Sequence, residues 1–124
     1  MPRTLWPLKY DRPVLEVVLT LALGGRRETR VLIADTGAGN AQAPFQILLE
    51  ENDCLLFGGL PIRTVSVTGA YNGSHPLYLI PLEIPALSFK EEIPALGVPT
   101  LPAAFDGIAC FRFLNRFTYG NFGN

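Results

Sequence analysis

Val31-Leu32-Ile33-Ala34-Asp35-Thr36-Gly37-Ala38-Gly39-Asn40 sets a carboxylate directly behind four apolar residues. Burying an unpaired charge is costly, so Asp35 must be compensated or must sit where a buried strand emerges. Upstream, Arg26, Glu28 and Arg30 alternate with their neighbours, and the alternation stops at Val31. Loss of alternation predicts a strand whose last half is covered on both faces. A loop is then expected over 35–40. In it Gly37 allows a sharp turn and the close approach of another group, and Thr36 offers a hydroxyl. The bare tripeptide Asp-Thr-Gly also fits an ordinary β-turn, so its meaning depends on the rest of the chain.

Outward from this stretch the chain reads as short strands. Eleven Pro and twelve Gly leave few uninterrupted runs for a long helix. The segments between them are apolar and rich in β-branched residues, as in a barrel or sandwich. Strands are predicted at 14–23 and 26–34 around the Gly24-Gly25 turn. Two more are predicted at 45–49 and 54–57, around the polar tip Glu50-Glu51-Asn52-Asp53, with a short helix as the alternative there. Strands 62–68 and 77–84 flank Gly69-Ala70-Tyr71-Asn72-Gly73, whose Asn-Gly pair marks a hairpin with an exposed tip. Residues 85–102 read as a proline-punctuated connection with one strand near 87–89. A short buried strand at 108–109, a helical turn or two within 111–116 and a last extended segment at 117–122 complete the reading.

The 124 residues fit one domain, 1–124, without repeat or linker. Composition is 48% hydrophobic and 17% charged, that of a core-forming chain. Ten Lys plus Arg against eleven Asp plus Glu give a net charge of −1, with no basic stripe to attract nucleic acid. The apolar run at 14–23 is too short to span a bilayer, which takes about 20 residues. No cleavable signal follows it, so a cytoplasmic location is expected. Cys54 and Cys110 lie in apolar contexts and read as reduced, buried thiols. With His75 the one histidine, a His/Cys metal site lacks ligands, and no metal or other cofactor is expected. His75 reads as a surface loop residue and Asp106 as a turn former.

The run Val31–Ala38 resembles the active-site signature of aspartic proteases, an apolar strand followed by Asp-Thr-Gly-Ala. Downstream, Phe105-Asp106-Gly107-Ile108-Ala109-Cys110 with Phe113-Leu114 resembles the second landmark of that family, an apolar pair before a short helix. The hairpin at 68–73 falls where the family has its flap. Strand, Asp-Thr-Gly, flap, apolar pair, helix and final strand follow in the order of one lobe over nearly the whole chain. One lobe with one Asp-Thr-Gly is similar to the retropepsin, or retroviral-type, arrangement.

That resemblance implies an all-β, closed barrel-like acid-protease fold with one short helix near the C-terminus. It implies an endopeptidase acting on polypeptide substrates as a homodimer, with an Asp35–Asp35 dyad across a twofold axis. Asp35, Thr36 and Gly37 would form the catalytic loop. Ala38, Gly39, Asn40, Tyr71, Asn72 and Gly73 would contact substrate. The alternative is the same fold kept as a weak or inactive dimerisation or peptide-binding module; a third reading is an unrelated small barrel in which Asp35 caps a turn. Two positions depart from the pattern. Cys110 stands where Gly is usual beneath the Asp loop, and Gly39 stands where a polar residue is usual. Ala109, small for its place, is the expected source of room for the Cys110 side chain.

Overall fold

The computed structural model describes residues 2–119. Its frame is one twisted sheet of seven strands: β1 (Val14–Thr20), β2 (Arg27–Ala34), β3 (Ile47–Glu50), β4 (Arg63–Val67), β5 (Gly73–Ile84), β6 (Phe89–Val98) and β7 (Gly107–Ala109). The order is β1-β2-β7-β3-β6-β5-β4, and β1 also pairs with β5 through Val18↔Glu83 and Leu19↔Leu82. That contact closes six strands into a barrel and leaves β4 outside it, hydrogen-bonded to β5. The all-β barrel expected from the sequence is therefore present.

Alternation explains how the barrel fills. Leu15, Val17 and Leu19 of β1 point inward with Leu32 of β2, Ile47 and Leu49 of β3, and Ile80, Leu82 and Ile84 of β5. In β2, Leu32 and Ile33 are both buried, as the loss of alternation there requires. A second apolar cluster lies on the outer face of the wall. Leu48, Leu77, Leu96, Val98, Ile108 and Cys110 form it with Val65 of β4 and with Ala43 and Phe45 from the loop before β3. The outer cluster is thus roofed by the β4–β5 hairpin and by the chain that follows Asp35.

Four expectations need correction. Residues 54–57 are not a strand but the short helix held as the alternative: Glu51–Gly58 forms helix α1, which buries Cys54 and Phe57 and leaves Leu55 and Leu56 exposed. Positions three apart share a helix face, so this pattern has helical and not strand period. Glu51 and Asp53 also favour a helix start by facing its positive end. The barrel therefore carries two short helices, α1 and α2 (Phe111–Leu114), where one was expected.

Second, the connection at 85–102 contains the ten-residue strand β6 behind a 3-10 turn at Pro85–Leu87. Pro94 is tolerated because its carbonyl, and with it the missing N–H, faces the side where β3 only begins: it accepts from Gln46 N at 2.9 Å, and pairing starts at Ile47↔Ala95. Third, His75 belongs to β5, paired with Val65, and not to a loop. Fourth, residues 117–119 form no strand, and 120–122 of that expected segment lie outside the described residues.

Two close approaches require glycine. A Cβ at Gly107 would stand 2.5 Å from the Leu48 carbonyl oxygen and 2.7 Å from Leu32 Cδ2, so β7 threads between β2 and β3 only as glycine. At Gly58 a Cβ would meet Ile80 Cδ1 at 2.8 Å, where α1 sits against β5.

Candidate active site

β2 runs parallel to β7, with Ala34 opposite Ala109, and delivers Asp35 to the end of the barrel where β7 finishes and β3 begins. Two backbone bonds fix the loop there. Asp35 N donates to Ala109 O at 3.0 Å, and Phe111 N donates to Ala38 O at 2.9 Å. The two sequence landmarks, far apart in the chain, are thereby joined by main-chain hydrogen bonds. Within the loop Ala38 N donates to Asp35 O at 3.2 Å, closing the turn.

Asp35 is half-buried, and its Oδ1 accepts from Gly37 N at 2.9 Å. A Cβ on Gly37 would lie 3.2 Å from that same oxygen, a tight contact that glycine avoids. Among the described residues Oδ2 makes no hydrogen bond, which leaves half of the carboxylate for water or a second acid. Thr36 is exposed beside it. Asn40 turns its side chain onto its own loop, Oδ1 accepting from Gln42 N at 2.9 Å. That is an Asx turn, and it shapes the loop.

Cys110 is fully buried directly under this loop. Burial, and after it the neighbouring Asp35 carboxylate, pushes its thiol up to about 12. The room for Cys110 does not come from Ala109, contrary to expectation. Successive strand side chains face opposite ways: Ala109 points into the barrel and Cys110 into the outer cluster. Gly39, and not Ala109, is the neighbour that faces Cys110. Its φ of +69° suits glycine, and a Cβ built on it would touch Phe45 at 3.4 Å, Ala43 at 3.6 Å and Cys110 Cβ at 3.7 Å, ordinary contact distances. The two departures from the expected pattern are neighbours in space.

Tyr71, at the tip of the β4–β5 hairpin, packs half-buried against the outer cluster, as does Ala38 from the Asp35 loop. The tip and the loop thus meet on one apolar surface. Burial, then the proximity of Cys110, raises the Tyr71 hydroxyl above its ordinary range. Asn72 and Gly73 are exposed at the tip; Asn72 N closes the turn onto Gly69 O at 3.1 Å, and Gly73 opens β5 with φ +123°.

Sequence reading missed three supports. Arg112 Nη1 donates to Ala43 O at 2.6 Å and holds the loop before β3. Cys110 N donates to Gln46 O at 3.0 Å. His75 Nε2 lies 2.7 Å from Tyr71 O. Nothing in the local sequence marks Arg112, whereas the same-face spacing of His75 with Leu77 on β5 was available as a signal.

Asp106 takes no place beside Asp35. Its Oδ2 accepts from Val31 N at 2.8 Å, pinning the middle of β2. Near it a polar cleft of about 260 Å³ is lined by Arg30, Glu50, Asp53, Leu101, Phe105 and Asp106. No helix among the described residues is long and apolar enough to cross a membrane. Comparison of the chain with protein-family models, with curated proteins and with solved structures finds no match.

Proposed function

We propose that the chain is a retropepsin-like aspartic endopeptidase that cleaves polypeptides as a homodimer. The observation that carries this reading is the convergence at one end of the barrel. Asp35, held by the backbone of Ala109, keeps one carboxylate oxygen unbonded among the described residues. Beside it an aromatic-tipped hairpin rests on the apolar cluster shared with the Asp35 loop.

The chemistry follows from having two such carboxylates. Each chain supplies one, and an isologous twofold contact brings the pair together. Like charges a few Å apart cannot both ionise, so the dyad holds one proton. The ionised carboxylate takes a proton from a bound water as it attacks the scissile carbonyl, and the protonated one donates to the carbonyl oxygen. Gly37 N, already bonded to Oδ1, fixes the orientation of the carboxylate. Thr36, exposed beside Asp35, has its hydroxyl available to bond across the twofold axis. The peptide lies between the Asp35 loop and the hairpin, against Ala38, Gly39, Tyr71, Asn72 and Gly73. Asn40 acts by shaping the loop.

A peptide library incubated between pH 4 and 7 with wild-type protein and with Asp35→Asn tests this. Cleavage by wild type that is lost in Asp35→Asn is expected. Peptide binding without cleavage by either protein moves the assignment to a non-catalytic peptide-binding module.

A further inference from the structure

We propose that His75 is a positioning residue that clamps the tip of the β4–β5 hairpin and so seats Tyr71 on the apolar surface beside the Asp35 loop. The inference rests on the peptide-binding groove just described and names what sets its roof.

The clamp is a single hydrogen bond across the mouth of the turn. A carbonyl oxygen only accepts, so at 2.7 Å the Nε2 of His75 must carry the proton and donate to Tyr71 O. His75 is half-buried at the start of β5, on the face that carries Leu77 into the outer cluster. β4 and β5 are in register from Val67↔Gly73 to Arg63↔Leu77, so the strand that carries His75 is fixed. The tip is not: beyond that ladder its one backbone bond is Asn72 N to Gly69 O, at 3.1 Å. A side chain built at Gly69 or Gly73, which flank the tip, would meet nothing within 4 Å, so no packing at those two positions holds it. The imidazole therefore ties the tip to the paired strands, at the residue whose ring packs on the cluster.

What lies under the ring makes the clamp measurable. Tyr71 packs against the cluster that contains Cys110, and Cys110 is fully buried. Tyr71 covers one side of that cluster, so lifting the tip opens a way to the thiol from the hairpin side without unfolding the barrel. Cys54 lies on α1, buried in the separate cluster that fills the barrel, so lifting the hairpin tip leaves it covered.

The test is alkylation of the folded protein with iodoacetamide in mildly alkaline buffer, with Cys110 and Cys54 quantified separately by peptide mass mapping. Losing one hydrogen bond of ordinary strength should raise the open population of the tip, and with it Cys110 labelling in His75→Ala, about fivefold, with Cys54 unchanged. His75→Gln restores slow labelling, because its amide nitrogen is as many bonds from the backbone as Nε2 and also donates. Equal Cys110 labelling in wild type and His75→Ala overturns the proposal. So does a parallel rise at Cys54, or a Gln variant as fast as Ala. Should His75→Ala not fold, Tyr71→Ala must give the same selective rise at Cys110, and its absence overturns the proposal as well. Peptide hydrolysis measured on the same proteins separates the two claims. In an active enzyme His75→Ala raises KM with kcat little changed, whereas the labelling pattern without hydrolysis by any variant keeps the clamp and removes the catalytic reading.

Discussion

Gly39 and Cys110 are neighbours at the Asp35 loop, and what each contributes can be measured. Because the loop's bonds to β7 and α2, Asp35 N to Ala109 O and Phe111 N to Ala38 O, are both intact, the thiol has not pushed the loop outward. Cys110→Gly should therefore leave peptide turnover little changed while lowering stability by about 1–2 kcal/mol for the space it empties. Gly39→Ala is strained by its backbone conformation and should cost about 1–2 kcal/mol. Because that strain is in the backbone and the added methyl meets Cys110 only at ordinary contact distance, the cost should be nearly the same in the Cys110→Gly background. Thermal denaturation of the two single variants and the double variant checks this; a clear departure from additivity would mean that the two positions compete for space. Sequence alone singled out both residues as unusual. It could not pair them, because their proximity is made by the fold and not by chain distance.

At the scale of elements, the strand and loop around Asp35 were legible because they depend on local cues. A four-residue apolar run says buried, and Asp-Thr-Gly says turn. β6 was hidden because proline was read as a breaker. Pro94 breaks nothing where its missing donor faces a neighbour strand that has barely begun. Helix α1 was legible only as an alternative to a strand for another reason: in four residues, Cys54–Phe57, helical and strand periods cannot be told apart until one sees that Cys54 and Phe57 share a buried face. Its docking supplies a test. Arg30 on β2 donates to Asp53 Oδ2 at 3.0 Å and stacks over Phe57 at 5.0 Å, joining strand to helix. Arg30→Ala should cost about 1–2 kcal/mol, more than an exposed ion pair does, because packing and charge are lost together. Thermal melts of Arg30→Ala and Arg30→Lys resolve this. Lysine should recover part of the charge contact and little of the stacking. A melting temperature unchanged in both would mean that α1 does not depend on Arg30.

The whole molecule is a barrel with unlike ends, α1 closing one and the Asp35 loop lying at the other. Acidity bears on how it can be assayed. Arg26 and then Arg30 hold the Glu28 carboxyl below its ordinary 4.5, and Arg116 does the same to Glu91. A carboxyl whose folded value is depressed stabilises the fold above its unfolded value, and that contribution is lost as pH falls through the folded one. Melting temperature should thus hold between pH 7 and 5 and decline below about 4.5, and Glu28→Gln should flatten the decline. An identical decline in Glu28→Gln would assign it to other groups.

In the proposed mechanism two Asp35 carboxylates from two chains act as one site. Mixing Asp35→Asn into wild-type protein at fixed total concentration, and following hydrolysis of a cleaved peptide after subunit exchange, tests this most directly. If only wild-type pairs carry the dyad, an equal mixture retains about one quarter of the wild-type rate, and the rate falls with the square of the wild-type fraction. A rate that falls in simple proportion to the wild-type fraction would mean that each chain works alone, and would contradict the shared site.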